Sequence, residues 1–377
     1  MRPFAYVRAH EIGEAAGQPG KFLAGGTTLI DLMKLDVERP AQVTDITGLP
    51  LADIAEQGDG VRIGALASMA QVADHPLIAA RYPALRNALL AGASQQIRNM
   101  ASMGGNVMQR TRCPYFRDTS FTACNKREPG SGCGAIAGNH RKQAILGTSD
   151  ACVALHPSDA SVALVAYDAT LTLRGPDGER EVSLQDFNLL PGQTPHLEHD
   201  LREGELITAI NLPAPPAGNG VYLKVRDRES YEFALSSCAA MLDVQGGVIR
   251  AARVALGGVG TKPWRSPEAE AALTGQPATR ETFEAAARAA LAGATPLEQN
   301  VFKVPLTAKV IVRALLAALA GEPADGHGDG QSTGQGQNAD QGEPHDRRRA
   351  EEVRGCARQP RGRPCQGARR GHLRRRA

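Results

Sequence analysis

The chain has 377 residues, 42% of them hydrophobic and 22% charged, with 43 Lys and Arg against 40 Asp and Glu. Such a composition excludes a disordered or fibrous chain, and no apolar run approaches the length of a membrane-spanning helix. The net charge of +3 is unevenly spread: residues 321–377 carry 12 Arg, no Lys and 8 acidic residues, so the body of the chain is close to neutral and no nucleic-acid partner is expected.

The N-terminal stretch MRPFAYVRAHEIGEAAG is broken by charges and does not read as a signal peptide. Folding in the cytoplasm is therefore expected, where thiols stay reduced. Export to the periplasm would require a partner that carries a signal.

KFLAGG reads as a strand ending in a glycine turn, and TTLIDLMKLDVE (27–38) as a helix opened by Thr27 or Thr28, with Leu29, Leu32, Met33 and Asp36 spaced by three or four. QVTDITGLP and VRIGALA (Val61–Ala67) read as two further strands. Helical pieces follow from SMAQVADH to LLAGAS, punctuated by Pro76 and Pro83. Gly104-Gly105-Asn106 breaks the next helical pattern. Residues 110–139 then show no period of helix or strand.

From Ser161 an Ala/Val/Leu run reads as helix, followed by a hairpin turned at Pro176-Asp177-Gly178. ELITAINLP reads as a strand. Pro213, Pro215, Pro216, Gly218 and Gly220 mark a linker. VYLKVRDR, SSCAAMLDV and VIRAARVALGGVG read as strands, and ETFEAAARAALAGA and TAKVIVRALLAALAG as helices. The expected domains are 1–217, 218–320 and a disordered tail over 321–377 that cannot bury enough apolar surface to fold. Arg without Lys in that tail suggests a frameshifted reading of GC-rich coding sequence; a natural basic tail is the alternative.

Two loops share a logic. Lys21, Phe22, Leu23, Ala24, Gly25, Gly26, Thr27, Thr28 and Leu29 form a strand-glycine-helix turn whose amides could cradle a phosphate. Ser102-Met103-Gly104-Gly105-Asn106 repeats the double glycine. A ligand with two phosphates would suit the pair, although a plain tight turn explains either loop alone. In His156-Pro157-Ser158-Asp159 the carboxylate suits ribose hydroxyls, while spacing alone favours an ordinary helix cap.

Four thiols follow the spacing Cys113-x10-Cys124-x8-Cys133-x18-Cys152. They make a full ligand set for a [4Fe–4S] cluster or a tetrahedral zinc. Unconnected buried thiols are the third reading. The nearby Arg110, Arg112, Arg117, Lys126 and Arg127 suggest a solvated loop or a docking face. Cys238, in an apolar strand, reads as core.

LAGGTTLIDLMK, IRNMASMGGNV, HPSDASVALVAYDA, YLKVRDR and VALGGVGTKPWR stand in one order along residues 1–320. In that order they resemble the flavin subunit of the xanthine dehydrogenase family of molybdenum hydroxylases. The resemblance implies an α+β chain: a two-subdomain FAD-binding domain of the molybdopterin dehydrogenase type, then a smaller α+β C-terminal domain. It implies FAD contacts at Lys21 to Leu29, Ser102, Gly105, Asn106, Asp159 and Lys224. Met103 departs from the Thr or Val common there.

RTRCPYFRDT, ACNKREPGSGC and ACVALHPSD resemble the insertion of periplasmic aldehyde oxidoreductases, which implies a [4Fe–4S] cluster on Cys113, Cys124, Cys133 and Cys152. The implied partners are a molybdenum-cofactor subunit and a [2Fe–2S] subunit, in a heterotrimer or its dimer, with an external electron acceptor. No general acid or base is expected on this chain. The alternatives are the flavin subunit of a 4-hydroxybenzoyl-CoA reductase-like enzyme and a non-catalytic, zinc-braced nucleotide-binding scaffold.

Overall fold

The structure, a computed structural model, describes residues 1–321. The expected disordered tail lies outside them, save for Gly321, which ends the last helix in a left-handed conformation.

Three sheets build the chain. Strands β1 (Ala5–Arg8), β2 (Lys21–Leu23) and β3 (Gln42–Asp45) form a small parallel sheet in the order β1-β3-β2. Strands β4 (Ile54–Gln57), β5 (Gly60–Gly64), β6 (Thr170–Gly175), β7 (Gly178–Ser183) and β8 (Leu206–Leu212) form an antiparallel sheet in the order β4-β5-β8-β6-β7. Its β6–β7 hairpin turns at Pro176-Asp177, with Gly175 paired to Gly178. Strands β9 (Asn219–Val225), β10 (Ser236–Gln245), β11 (Val248–Gly257) and β12 (Trp264–Arg265) form an antiparallel sheet in the order β12-β11-β10-β9. The fold is α+β, an N-terminal half built on the first two sheets followed by a smaller C-terminal half built on the third.

The third sheet explains how the two halves are joined. Successive strand residues point to opposite faces. On β10, Ala239 and Met241 pack into the core of the N-terminal half, while Cys238, Ala240 and Leu242 pack into the C-terminal core. Tyr222 on β9 and Ala255 on β11 face the first core, and their neighbours Leu223 and Leu256 face the second. Both faces of the sheet are thus covered, and its strands read as near-continuous apolar runs for that reason.

The helix Asp159–Ala166 lies on one face, with every residue after Asp159 buried. The helix Lys303–Ala320 packs on β9 and β10 and contributes Val310, Ile311, Ala314 and Leu315 to the second core. Cys238 is wholly buried there. Among the described residues, no helix is long and apolar enough to cross a membrane.

Two elements depart from the sequence reading. The first-loop helix spans only Leu29–Lys34, because Asp36 turns left-handed at φ 58°, where its carboxylate holds Arg2 at 2.9 Å and Arg39 at 3.0 Å. Gly104-Gly105-Asn106 does not break a helix but lies inside a short one, Met103–Val107.

Candidate functional site

The first loop leaves β2 and turns at Gly25. A side chain there would place its Cβ 1.8 Å from the Met100 carbonyl oxygen, so only glycine lets this loop touch the approach to the second loop. Among the described residues, the amides of Gly25, Gly26, Thr27 and Thr28 donate to no protein acceptor. Thr28 occupies the cap position but makes no side-chain cap bond. Four open donors in sequence are what a phosphate needs.

The second loop differs, and the shared logic expected of the pair fails. Gly104 N donates to Ala65 O at 2.8 Å, Gly105 N to Ser102 Oγ at 3.2 Å and Asn106 N to Ser102 O at 2.8 Å. Its donors are consumed by its own helix and by Ala65. Gly104 is there for closeness, since a Cβ would sit 3.1 Å from that of Ala65. Asn106 instead ties the second loop to the third: its Oδ1 accepts from Ser158 Oγ at 2.5 Å.

In the third loop Ser158, not Asp159, caps the helix, accepting from Ser161 N at 3.0 Å. That frees the Asp159 carboxylate. Tyr222 OH donates to Oδ1 at 2.6 Å, and Lys224 Nζ donates to Oδ2 at 2.7 Å. Both partners come from the same face of β9, by the two-residue period of a strand. Lys224 also holds the Ala91 carbonyl at 3.1 Å. The Asp159 and Lys224 side chains are 10% and 3% exposed.

A cleft of about 680 Å³ opens where these loops meet, a size in the range of cofactor sites. Thr27, Thr28, Gly105, Asn106, Asp159 and Lys224 line it. Of the other expected contacts, Lys21, Phe22 and Leu23 form strand β2, Ser102 is buried at the start of the second loop, and Ala24, Gly25, Gly26 and Leu29 are not among the lining residues. The sequence did not point to Asp31, Tyr231 or Phe233, which also line it. Tyr231 stands at φ 52° in the β9–β10 connection, a rare conformation for an aromatic residue.

The cysteine segment packs beside this cleft. Cys113, Cys124, Cys133 and Cys152 all line one small pocket walled by Phe116, Ala135 and Ala154. Cys124 and Cys133 pair as an isolated antiparallel bridge. Cys113 belongs to both the pocket and the cleft lining. The segment has a minor core after all, in which Leu32, Phe116, Val153 and three of the thiols are buried. Burial pushes the Cys113 thiol up to about 11 and raises that of Cys152. Among the described residues, no group of three or more His, Cys, Asp or Glu side chains could hold a metal ion.

The positive residues of the segment are engaged by protein partners, although Arg112 stays exposed. Arg110 pairs with Glu38 at 2.6 Å and with Glu198; Lys126 pairs with Glu198 at 2.7 Å. Arg112 and Arg117 reach Asp31 at 3.2 and 2.7 Å. The Arg127 guanidinium donates to the carbonyls of Tyr115 at 2.7 Å, Phe116 at 2.9 Å and Phe121. Arg110, Arg112, Arg117 and Lys126 clamp the segment onto the domain, and Arg127 braces the segment from within.

Acid should loosen that clamp. Burial alone would raise the Glu198 carboxyl, but the attraction of Lys126 and Arg110 holds it down to about 2. Its contribution is present above pH 4.5, its ordinary value, and is lost as pH falls toward 2. The shift corresponds to on the order of 3 kcal/mol. Burial also lowers His156 to about 3 and His199 to about 4, so these contributions begin to fade below pH 6.5. His156 Nδ1 accepts from Ser158 N at 3.3 Å. Hydrogen-exchange protection over 110–152, taken relative to the intrinsic rate at each pH, should fall on stepping down from pH 6.5. A Glu198→Gln variant should lack the part below pH 4.5, and an identical profile would contradict the clamp.

Residues 1–215 match the FAD binding domain in molybdopterin dehydrogenase, and residues 221–318 match the CO dehydrogenase flavoprotein C-terminal domain. The aldehyde oxidoreductase FAD-binding subunit PaoB of Escherichia coli (strain K12) is 46% identical over 328 residues, covering 85% of this chain and 99% of that one. The xanthine dehydrogenase FAD-binding subunit of Escherichia coli O157:H7 is 27% identical, covering 83% of this chain and 97% of that one. A solved structure of carbon monoxide dehydrogenase from Hydrogenophaga pseudoflava superposes with a TM-score of 0.66 at 29% identity, covering 85% of this chain and 99% of that one.

Proposed function

Since the chain belongs to the FAD-binding subunits of the molybdenum hydroxylase family, we propose that it is the electron-transfer flavin subunit of an aldehyde oxidoreductase. It would take electrons from a molybdenum subunit by way of a [2Fe–2S] subunit and deliver them to an external acceptor. Its domains are assigned as 1–217 for FAD, with the insertion at 110–152, and 218–320 as the C-terminal domain.

The observation that carries the reading is the continuity of two sites. The cleft with open loop amides and the pocket of four thiols share Cys113. The fit to FAD rests on the unpartnered amides from Gly25 to Thr28, next to a cleft of cofactor size. The fit to a [4Fe–4S] cluster rests on four buried or half-buried free thiols on one pocket. A cluster presents four separate iron corners, so its ligands need not converge as they must around a single zinc ion.

FAD, when bound, supplies one- and two-electron chemistry. The residues of this chain bind and orient. Gly25 to Thr28 offer amide donors to a pyrophosphate, and Asp159, fixed by Tyr222 and Lys224, presents a carboxylate edge to ribose hydroxyls. Cys113, Cys124, Cys133 and Cys152 would hold the cluster. None of these residues is assigned as a general acid or base.

Gly25→Val tests the loop. Its side chain must displace the Met100 carbonyl. We expect the purified variant to lose nearly all bound FAD, read as flavin absorbance per protein, while iron is retained. Full flavin content would contradict the assigned loop.

A further inference from the structure

Gln143 is a buried amide on the wall of the cleft, beside the thiols, with no role assigned to it above. It is 3% exposed, and its Nε2 donates to Cys113 Sγ at 3.3 Å. Its backbone carbonyl accepts from Lys303 Nζ at 2.9 Å and from Asn300 Nδ2 at 3.3 Å. Lys303 and Asn300 are themselves wholly buried.

They grip the backbone of the insertion between its third and fourth thiols. Lys303 Nζ also holds the carbonyls of Lys142 at 3.1 Å and Gly258 at 2.7 Å. Asn300 Nδ2 also reaches those of His140 at 3.3 Å and Ala144 at 3.4 Å. A buried lysine with only carbonyl partners is costly to keep, and a methyl-terminated side chain could fill the same space. What the lysine provides that an apolar residue cannot is a fixed backbone at Gln143. With the backbone fixed at one end and the thiol at the other, the amide has one place to point.

We infer that Gln143 is a positioning residue for the iron–sulfur site, an N–H donor to the Cys113 sulfur that sets how readily the site accepts an electron, held there by Lys303 and Asn300 of the C-terminal domain. The inference rests on the cluster reading above. Its physics is simple. Reduction puts more negative charge on the sulfurs, so an N–H aimed at one of them stabilises the reduced form more than the oxidised form.

The test is an anaerobic redox titration of the purified enzyme complex, followed by EPR of the one-electron cluster couple, with iron and FAD counted on the same samples. Gln143→Leu should shift the cluster potential downward and leave iron content unchanged, with FAD counted alongside because Gln143 also lines the cleft. A retained cluster with an unshifted potential would overturn the inference. Because the leucine variant could fail to hold iron, a second readout uses the wild type. With glutamine side-chain amides labelled with ¹⁵N, pulsed EPR of the reduced cluster should show a nitrogen coupling. Its absence would overturn the inference regardless of the variant. A wild-type enzyme without iron would remove the cluster reading, and this inference with it; iron without the coupling removes this inference alone.

Discussion

Cys124→Ser is expected to strip iron from the protein, from about four per flavin to nearly none, while FAD stays bound. The thiol lies 7% exposed in the pocket shared with Cys113, Cys133 and Cys152, and its backbone is bridged to that of Cys133. Serine preserves the volume but is a poor iron ligand. The apolar core under the insertion is small, so a bound cluster would carry a large part of its order. Proteolysis between 110 and 152 should therefore become faster in the variant.

The cleft should survive, because its loop amides and its Asp159–Lys224 pair are anchored outside the insertion. Cys238→Ser is the control. That thiol is buried in the second core, far in sequence from the segment, and its loss should leave iron unchanged. Equal iron in wild type and Cys124→Ser would sink the ligand assignment.

The second large effect concerns Asp159. Removing one partner of a buried ion pair leaves the other charge uncompensated, at a cost of about 3–5 kcal/mol. Asp159→Ala strands Lys224 at 3% exposure and also leaves the Tyr222 hydroxyl without its acceptor. A loss of that size is a large share of the 5–15 kcal/mol typical of a folded domain. We expect a marked fall in the unfolding midpoint, together with loss of FAD.

The double variant Asp159→Ala with Lys224→Met should recover much of the stability but not the flavin. The two replacements are in contact, so their effects should be far from additive. Additive losses, or a single-variant cost below about 1 kcal/mol, would show that the pair does not brace the cleft.

What could be read from the sequence was what depends on neighbouring residues. The strand-glycine-helix turn at Lys21–Leu29, the β6–β7 hairpin at Pro176-Asp177-Gly178 and the apolar strands β9 to β11 all announce themselves locally. What could not be read depends on distant partners. The helix after Thr28 stops early because Asp36 serves Arg2 and Arg39. The donors of the second loop are spent partly on Ala65, across a close approach that its glycines permit but do not announce.

The cations of the insertion looked solvent-bound because their acids lie 72 to 88 residues away, at Glu38, Asp31 and Glu198. Likewise, nothing near Gln143 signals that Lys303, 160 residues later, fixes its backbone.

The central claim is that one chain holds a flavin and an iron–sulfur cluster side by side. The most direct measurement is an anaerobic visible spectrum of the purified chain, with FAD, iron and zinc counted on the same sample after reconstitution. The account predicts one FAD and about four irons per chain, with no stoichiometric zinc. Flavin with one zinc and no iron would contradict the cluster, and no flavin after reconstitution would contradict the cleft assignment on which the rest stands.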